Sequence, residues 1–287
     1  MSILDDLLSN QSILVTCMSN NVVMMYASGN WQSYISSNPM GVDFYSQNAV
    51  LSSINGIGLY NNSGQLVANI PIVDTSTHEI KLLWDNTIAG CSTPNSLIQN
   101  YNFGGKIPMW VYPGVDPSNP DNRCMINGLA LNSGSLGYAT ALGVTDSPGQ
   151  GRVAMMSGSG GLIDLQASSV VFNNLAIPHS PIVLSGSVLF CNSGTGDLMC
   201  WEIGSPSYSS LINLGAFCRG ISQLDSTHFL VGISQARINA PSVVTVPTNA
   251  QAGVALVDIS TPSVVHFEPL DVSEVFDICI TSGMILQ

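Results

Sequence analysis

The sequence predicts an all-β fold, a six-bladed β-propeller spanning residues 1–287 as one domain, and three observations lead there. Runs of four to seven residues rich in Val, Ile, Leu and aromatics are separated by Gly, Ser, Asn and Asp, and 27 Gly and 15 Pro are scattered along the chain. That is the pattern of short strands joined by tight turns. A four-strand unit recurs in the chain, and such a repeat is the mark of propeller blades. The two ends of the chain, finally, each carry an incomplete unit that the other completes.

The repeat is clearest from residue 127 onward. Asn127-Gly-Leu-Ala-Leu, Tyr138-Ala-Thr-Ala-Leu, Gly161-Leu-Ile-Asp-Leu and Val170-Val-Phe form one unit. His179-Ser-Pro-Ile-Val-Leu, Val188-Leu-Phe-Cys, Leu198-Met-Cys-Trp-Glu-Ile and Leu211-Ile-Asn-Leu form the next. A third runs through Arg219-Gly-Ile-Ser, His228-Phe-Leu-Val-Gly-Ile, Gly253-Val-Ala-Leu-Val-Asp and Val264-Val-His-Phe. Residues 40–112 hold two further units in which the pattern is weakest. The strand 275–280 lacks partners of its own, and residues 13–17, 22–26 and 31–35 supply them, which closes the ring and removes its open edges. A helical period is sustained nowhere, with the first ten residues as the one candidate.

Only 8% of residues are charged, against about 25% in ordinary domains. The net charge of −12, with six basic residues, excludes a basic stripe of the kind nucleic acid needs and disfavours anionic membranes. The start lacks a basic, apolar leader, and no stretch approaches the ~20 apolar residues of a membrane span. Seven cysteines, an odd set without a CxxC pair, read as free, mostly buried thiols. A cytoplasmic location is expected.

Several segments resemble a bacterial family catalogued as a conserved domain of unknown function. They are Ile126-Asn-Gly-Leu-Ala-Leu, Tyr138 to Asp146, Pro178-His-Ser-Pro, Asn192-Ser-Gly-Thr-Gly, Arg219-Gly, Val231-Gly-Ile-Ser and Glu274-Val-Phe-Asp, with His78-Glu-Ile more loosely. The resemblance covers most of residues 77–280 and implies a six-bladed propeller without implying a reaction. More distantly, Asn-Gly-Leu-Ala is similar to an inner strand of gluconolactonase and strictosidine-synthase-like propellers, many of which hold a divalent metal at the axis.

Each inner strand opens at one face of a propeller. The six openings place Met40, His78, Asn127, His179, Arg219 and Phe276 around the mouth of the central channel. The bland readings are a histidine bonded to a neighbouring carbonyl, an Asn satisfying a turn and an Arg strapping two blades. Against them stands a coincidence: two of only four histidines occupy the same repeat position. The four arginines, Arg123, Arg152, Arg219 and Arg237, also fall on segments expected at this mouth, which predicts a funnel for a small anion. Arg219 is the expected anchor, with Asn127, Arg152, Arg237, Met40 and Phe276 lining the substrate.

Two mechanisms fit. In one, His78 and His179 are the catalytic acid–base pair of a lyase, isomerase or hydrolase. In the other, His78, His179, Asn127 and Glu274 hold a divalent metal that activates water or a carbonyl. The alternative is a non-catalytic propeller that binds a ligand or protein on the same face, with 238–251 serving as a lid or an interaction loop.

Overall fold

The computed structural model describes residues 4, 8 and 11–282, apart from 28, 37, 46–47, 54–55, 62, 72–76 and 103–104. Strands β1 (Gln11–Cys17), β2 (Val22–Ala27) and β3 (Asn30–Ser36) begin the first blade. The second blade holds β4 (Pro39–Tyr45), β5 (Asn48–Ser53), β6 (Gly56–Tyr60) and β7 (Leu66–Ile70). The third holds β8 (Thr77–Leu82), β9 (Ile88–Ser92), β10 (Leu97–Asn102) and β11 (Gly105–Val111). The fourth holds β12 (Cys124–Asn132), β13 (Ser135–Val144), β14 (Gly160–Asp164) and β15 (Ser169–Leu175). The fifth holds β16 (Pro178–Leu184), β17 (Ser187–Asn192), β18 (Asp197–Glu202) and β19 (Ser209–Asn213). The sixth holds β20 (Phe217–Gln223), β21 (His228–Ser234), β22 (Gly253–Asp258) and β23 (Ser263–Pro269). Strand β24 (Asp277–Ser282) then returns to the first blade and pairs antiparallel with β1, Leu14 opposite Cys279 and Thr16 opposite Asp277. The molecule is a six-bladed β-propeller whose first blade is shared by both ends of the chain.

Apolar side chains on facing blades make the core. Leu14, Val23 and Met25 of the first blade meet Val42 and Leu51 of the second. Leu189 and Cys191 of the fifth meet Phe229 and Val231 of the sixth. All seven cysteines are free thiols, five of them buried. A short helix, Gly151–Met156, lies between β13 and β14. Six residues are too few to announce a 3.6-residue period, so the sequence does not reveal it. The helical candidate at residues 1–10 falls mostly outside the described residues.

Polar straps fix the inner strands around the axis. At five junctions a hydroxyl at or just beyond the end of a blade's second strand donates to the carbonyl at, or one before, the next ring position. These are Thr16 to Met40, Ser52 to His78, Thr93 to Ile126, Ser193 to Cys218 and Ser234 to Val275. At the sixth junction the Asn127 amide does so, Nδ2 to Pro178 O at 2.9 Å. Each buried bond of this kind contributes about 1 kcal/mol net and costs more if half of it is removed. Five inner strands also break register at the ring tripeptide, for example between Pro39 and Val42 and between Arg219 and Ile221. Such bulges re-aim side chains. Gly220 shows why the middle position is constrained. Its φ is +71°, and a Cβ there would sit 3.0 Å from the Asp277 backbone.

Candidate functional site

The bulges and straps turn the ring residues toward one cavity of about 310 Å³ at the face where the inner strands start. Met40, His78, His179, Arg219 and Phe276 line it from five inner-strand openings, and Arg152 and Arg237 from the β13–β14 and β21–β22 connections. Asn127 is the ring residue that the cavity does not include, because its side chain is buried in the strap to Pro178. Arg123 is also elsewhere, with Nε 2.9 Å from Asp121 Oδ1.

At the floor five side chains form a continuous row. The Arg219 guanidinium lies between the rings of Phe276 and Phe217, 4.7 and 5.1 Å from their centroids. Phe276 meets His78 edge-on at 5.5 Å, and Phe217 meets His179 the same way at 5.7 Å. Two histidines therefore flank one guanidinium, each separated from it by an aromatic ring.

The charge of Arg219 is already answered inside the protein. Its Nη2 donates to Glu274 Oε1, which also accepts from Arg237 Nη2 at 3.0 Å. Arg219 and Glu274 are both buried, whereas 63% of the Arg237 side chain is exposed. The expectation that Arg219 anchors an anion and that Glu274 ligates a metal must be redrawn accordingly, since the two neutralise each other. Arg152 and Arg237 at the rim remain to meet an incoming charge.

His179 Nδ1 lies 3.0 Å from Ile177 O and 2.8 Å from Ser193 Oγ. Ile177 O can only accept, and the Ser193 proton is spent on Cys218 O. Nδ1 must then carry the proton, which leaves Nε2 as a bare base. Burial, and then the Arg219 charge, hold His179 well below the ordinary imidazole range. His78 is held at about 4 by burial first and by Arg219 and Arg237 next. Its Nδ1 is buried without a hydrogen-bond partner. An unpartnered lone pair there leaves the proton on Nε2, because a buried orphan N–H is the rarer arrangement. At neutral pH the floor thus presents two uncharged imidazoles in complementary tautomers, one accepting and one donating.

The four residues proposed as metal donors do not fit that role. Glu274 is held by two guanidinium groups, Asn127 is engaged through Nδ2 alone while its Oδ1 is buried without a hydrogen-bond partner, and among the described residues no three His, Cys, Asp or Glu side chains gather as a metal site. Just beyond the ring position along β8, Lys81 Nζ sits 3.0 Å from Glu79 Oε1. Asp277 and Asp43 act on Lys81 there, and burial pushes the Glu79 and Asp277 carboxyls up.

The sequence reading missed Phe217 and Ile177 on the floor, and Met18, Leu142, Met155 and Val244 on the walls. Phe217 and Ile177 each lie two residues before a ring position, as does Glu274, which the sequence had singled out, so the ring alignment extended by one alternate residue would have found them. Segment 238–251 contributes Asn239, Ala240, Pro241 and Val244 to the lining. Val243 and Val244 pack with Leu142, Ile177 and Phe217, and Thr245 N donates to Gly194 O at 2.8 Å. The segment is therefore fastened across the mouth to the fifth blade.

No curated protein matches the sequence. Solved structures share the architecture. A chain of a nidogen/laminin complex superposes with a TM-score of 0.67 at 13% identity, over 95% of this chain and 99% of that one. A putative gluconolactonase gives 0.57 at 12%, over 82% and 78%. Virginiamycin B lyase from Staphylococcus aureus, in a catalytically inactive form with quinupristin, gives 0.51 at 15%, over 79% and 75%. At such identities the likeness concerns the fold alone. The family described as a domain of unknown function (DUF4915) matches residues 10–286, nearly the whole sequence, and the chain belongs to that family.

Proposed function

We propose that the protein is a non-redox enzyme that binds a small anionic metabolite at the propeller mouth and moves a proton on it. The observation that carries the reading is the pair of neutral imidazoles flanking Arg219 on one cavity floor. His179, with Nε2 bare, takes the proton. His78, with Nε2–H, donates a hydrogen bond to the oxygen on which charge develops. Arg219, fixed by Glu274, holds Phe217 and Phe276 and through them positions the two imidazoles. A proton abstracted and returned gives an isomerase, one abstracted with loss of a leaving group gives a lyase, and one taken from water gives a hydrolase. The similarly folded virginiamycin B lyase and putative gluconolactonase support placing an enzyme on this architecture.

The test is exchange in D2O. A panel of small carboxylates and phosphates is incubated with the protein, and loss of C–H signals or appearance of products is followed by proton NMR. His179→Gln should slow the reaction found by about 10²–10⁴-fold, the usual contribution of a general base, while ligand affinity is kept. Ligands that bind wild type with neither exchange nor turnover would instead favour a binding module.

A further inference from the structure

We infer that the ligand of this cavity is an amphipathic anion, with its charged group at the rim and an apolar body reaching the histidines. The inference rests on the anion-binding reading above and adds the shape and polarity of the molecule. Three guanidinium groups face one carboxylate here, a local excess of two positive charges on a protein of net charge −12. That excess is not on the floor. Arg219 is neutralised by Glu274, and its guanidinium lies over the rings of Phe217 and Phe276. The cations left to attract an anion are Arg152 and Arg237, both exposed and both on connections rather than on inner strands.

Between these rim charges and the imidazoles the walls are mostly apolar, with Gln235 and Asn239 as the uncharged polar side chains in the lining. Leu142, Met155, Ile177, Val244, Phe217 and Phe276 supply the apolar surface. A polyhydroxylated acid would set most of its hydroxyls against these apolar side chains, losing more water than Gln235 and Asn239 can replace. An alkyl or aryl chain would be buried there favourably. The volume, near the lower end of the usual ~300–1,000 Å³ for ligand sites, suits one compact chain. The head group is a carboxylate or a phosphate monoester, since a guanidinium fork serves both. The reacting atom lies at the other end, next to His78 and His179.

Isothermal titration of the full chain tests this with butanoate, hexanoate, 3-phenylpropanoate, hexyl phosphate, hexanamide, gluconate and inorganic phosphate. From butanoate to hexanoate each methylene should tighten binding about fourfold. Hexanamide should bind at least tenfold more weakly than hexanoate. Gluconate and inorganic phosphate should give no measurable heat. Arg152→Gln and Arg237→Gln should each weaken hexanoate several-fold and leave hexanamide unchanged, and the ratio of hexyl phosphate to hexanoate affinity identifies the head group. Gluconate or inorganic phosphate binding as well as hexanoate would overturn the inference. So would equal binding of amide and acid, or no heat from any member of the alkyl and aryl series. Chain-dependent anion binding without turnover would leave this inference standing while removing the acid–base reading.

Discussion

Replacing Arg219 by Leu should destabilise the ring, although the sequence alone suggested a channel arginine whose loss would matter mainly for binding. The reason is the buried partner. Arg219 and Glu274 are 5% and 3% exposed, and removing one member of such a pair strands the other, typically at a cost of about 3–5 kcal/mol. The two single variants should differ. In Arg219→Leu the carboxylate keeps Arg237 at 3.0 Å, so the loss lies near the lower end, about 3 kcal/mol. In Glu274→Leu two guanidinium groups remain together with no anion, one of them between two phenyl rings, which places the loss nearer about 4–5 kcal/mol. The double variant removes both buried charges and should recover to within about 1–2 kcal/mol of wild type, because a buried pair exchanged for apolar groups is often close to neutral. Urea unfolding followed by tryptophan fluorescence measures all four proteins, with unchanged slopes and shifted midpoints. If Arg219→Leu unfolds within about 0.5 kcal/mol of wild type, or the two single losses simply add in the double variant, the reasoning about a buried, mutually dependent pair is wrong.

Two further outcomes follow from the same geometry. Removing residues 274–287 takes away β24 and leaves β1 paired on its β2 side alone, so the whole ring should lose its cooperative transition; a truncated chain that melts as sharply and as high as wild type would contradict the shared blade. His78 should make stability depend on acid. Its folded value of about 4 lies below the ordinary 6.5, so between these pH values the unfolded chain binds a proton that the folded chain refuses. Its contribution is present above pH 6.5 and is lost as the pH falls toward 4, by up to about 3 kcal/mol. Buried Glu79, raised by desolvation, acts with the opposite sign over an overlapping range. The quantity to measure is therefore the difference between wild type and His78→Gln, and stability curves that stay parallel from pH 7 to 4 would refute the assignment.

The fold was legible because a propeller repeats one four-stranded blade around its ring. The units beginning at Asn127, His179 and Arg219 could be stacked by eye, and the leftover strand near the C-terminus had only one set of missing partners. The ring positions were legible for the same reason, since repeat alignment turns sequence offset into angular position. What the alignment does not encode is which way a side chain turns after a bulge, or which groups spend their charge on one another. Asn127 and His179 occupy equivalent places, yet one bonds to the Pro178 carbonyl and the other enters the cavity. Glu274 sits two residues before a ring position and 55 residues from Arg219, and nothing in composition or spacing pairs them before the ring is closed.

That pairing bears on how the floor works. Taking two charges out of water is expensive, and a buried ion pair is weak evidence for stability, because apolar residues of similar volume often do as well. In a chain with only 8% charged residues, a pair at the centre of the cavity floor is better explained by what it orients. Glu274 fixes the Arg219 guanidinium, which lies over the rings of Phe217 and Phe276, and each ring meets one histidine edge-on. Ser193 fixes the His179 proton from behind. The imidazoles are thereby positioned by contacts that reach back to a single carboxylate, and the same carboxylate reaches out to Arg237 at the rim. An anion that draws Arg237 away from Glu274 would strengthen the hold of that carboxylate on Arg219. Ligand binding at the rim and the electrostatics of the floor would then be coupled through one side chain.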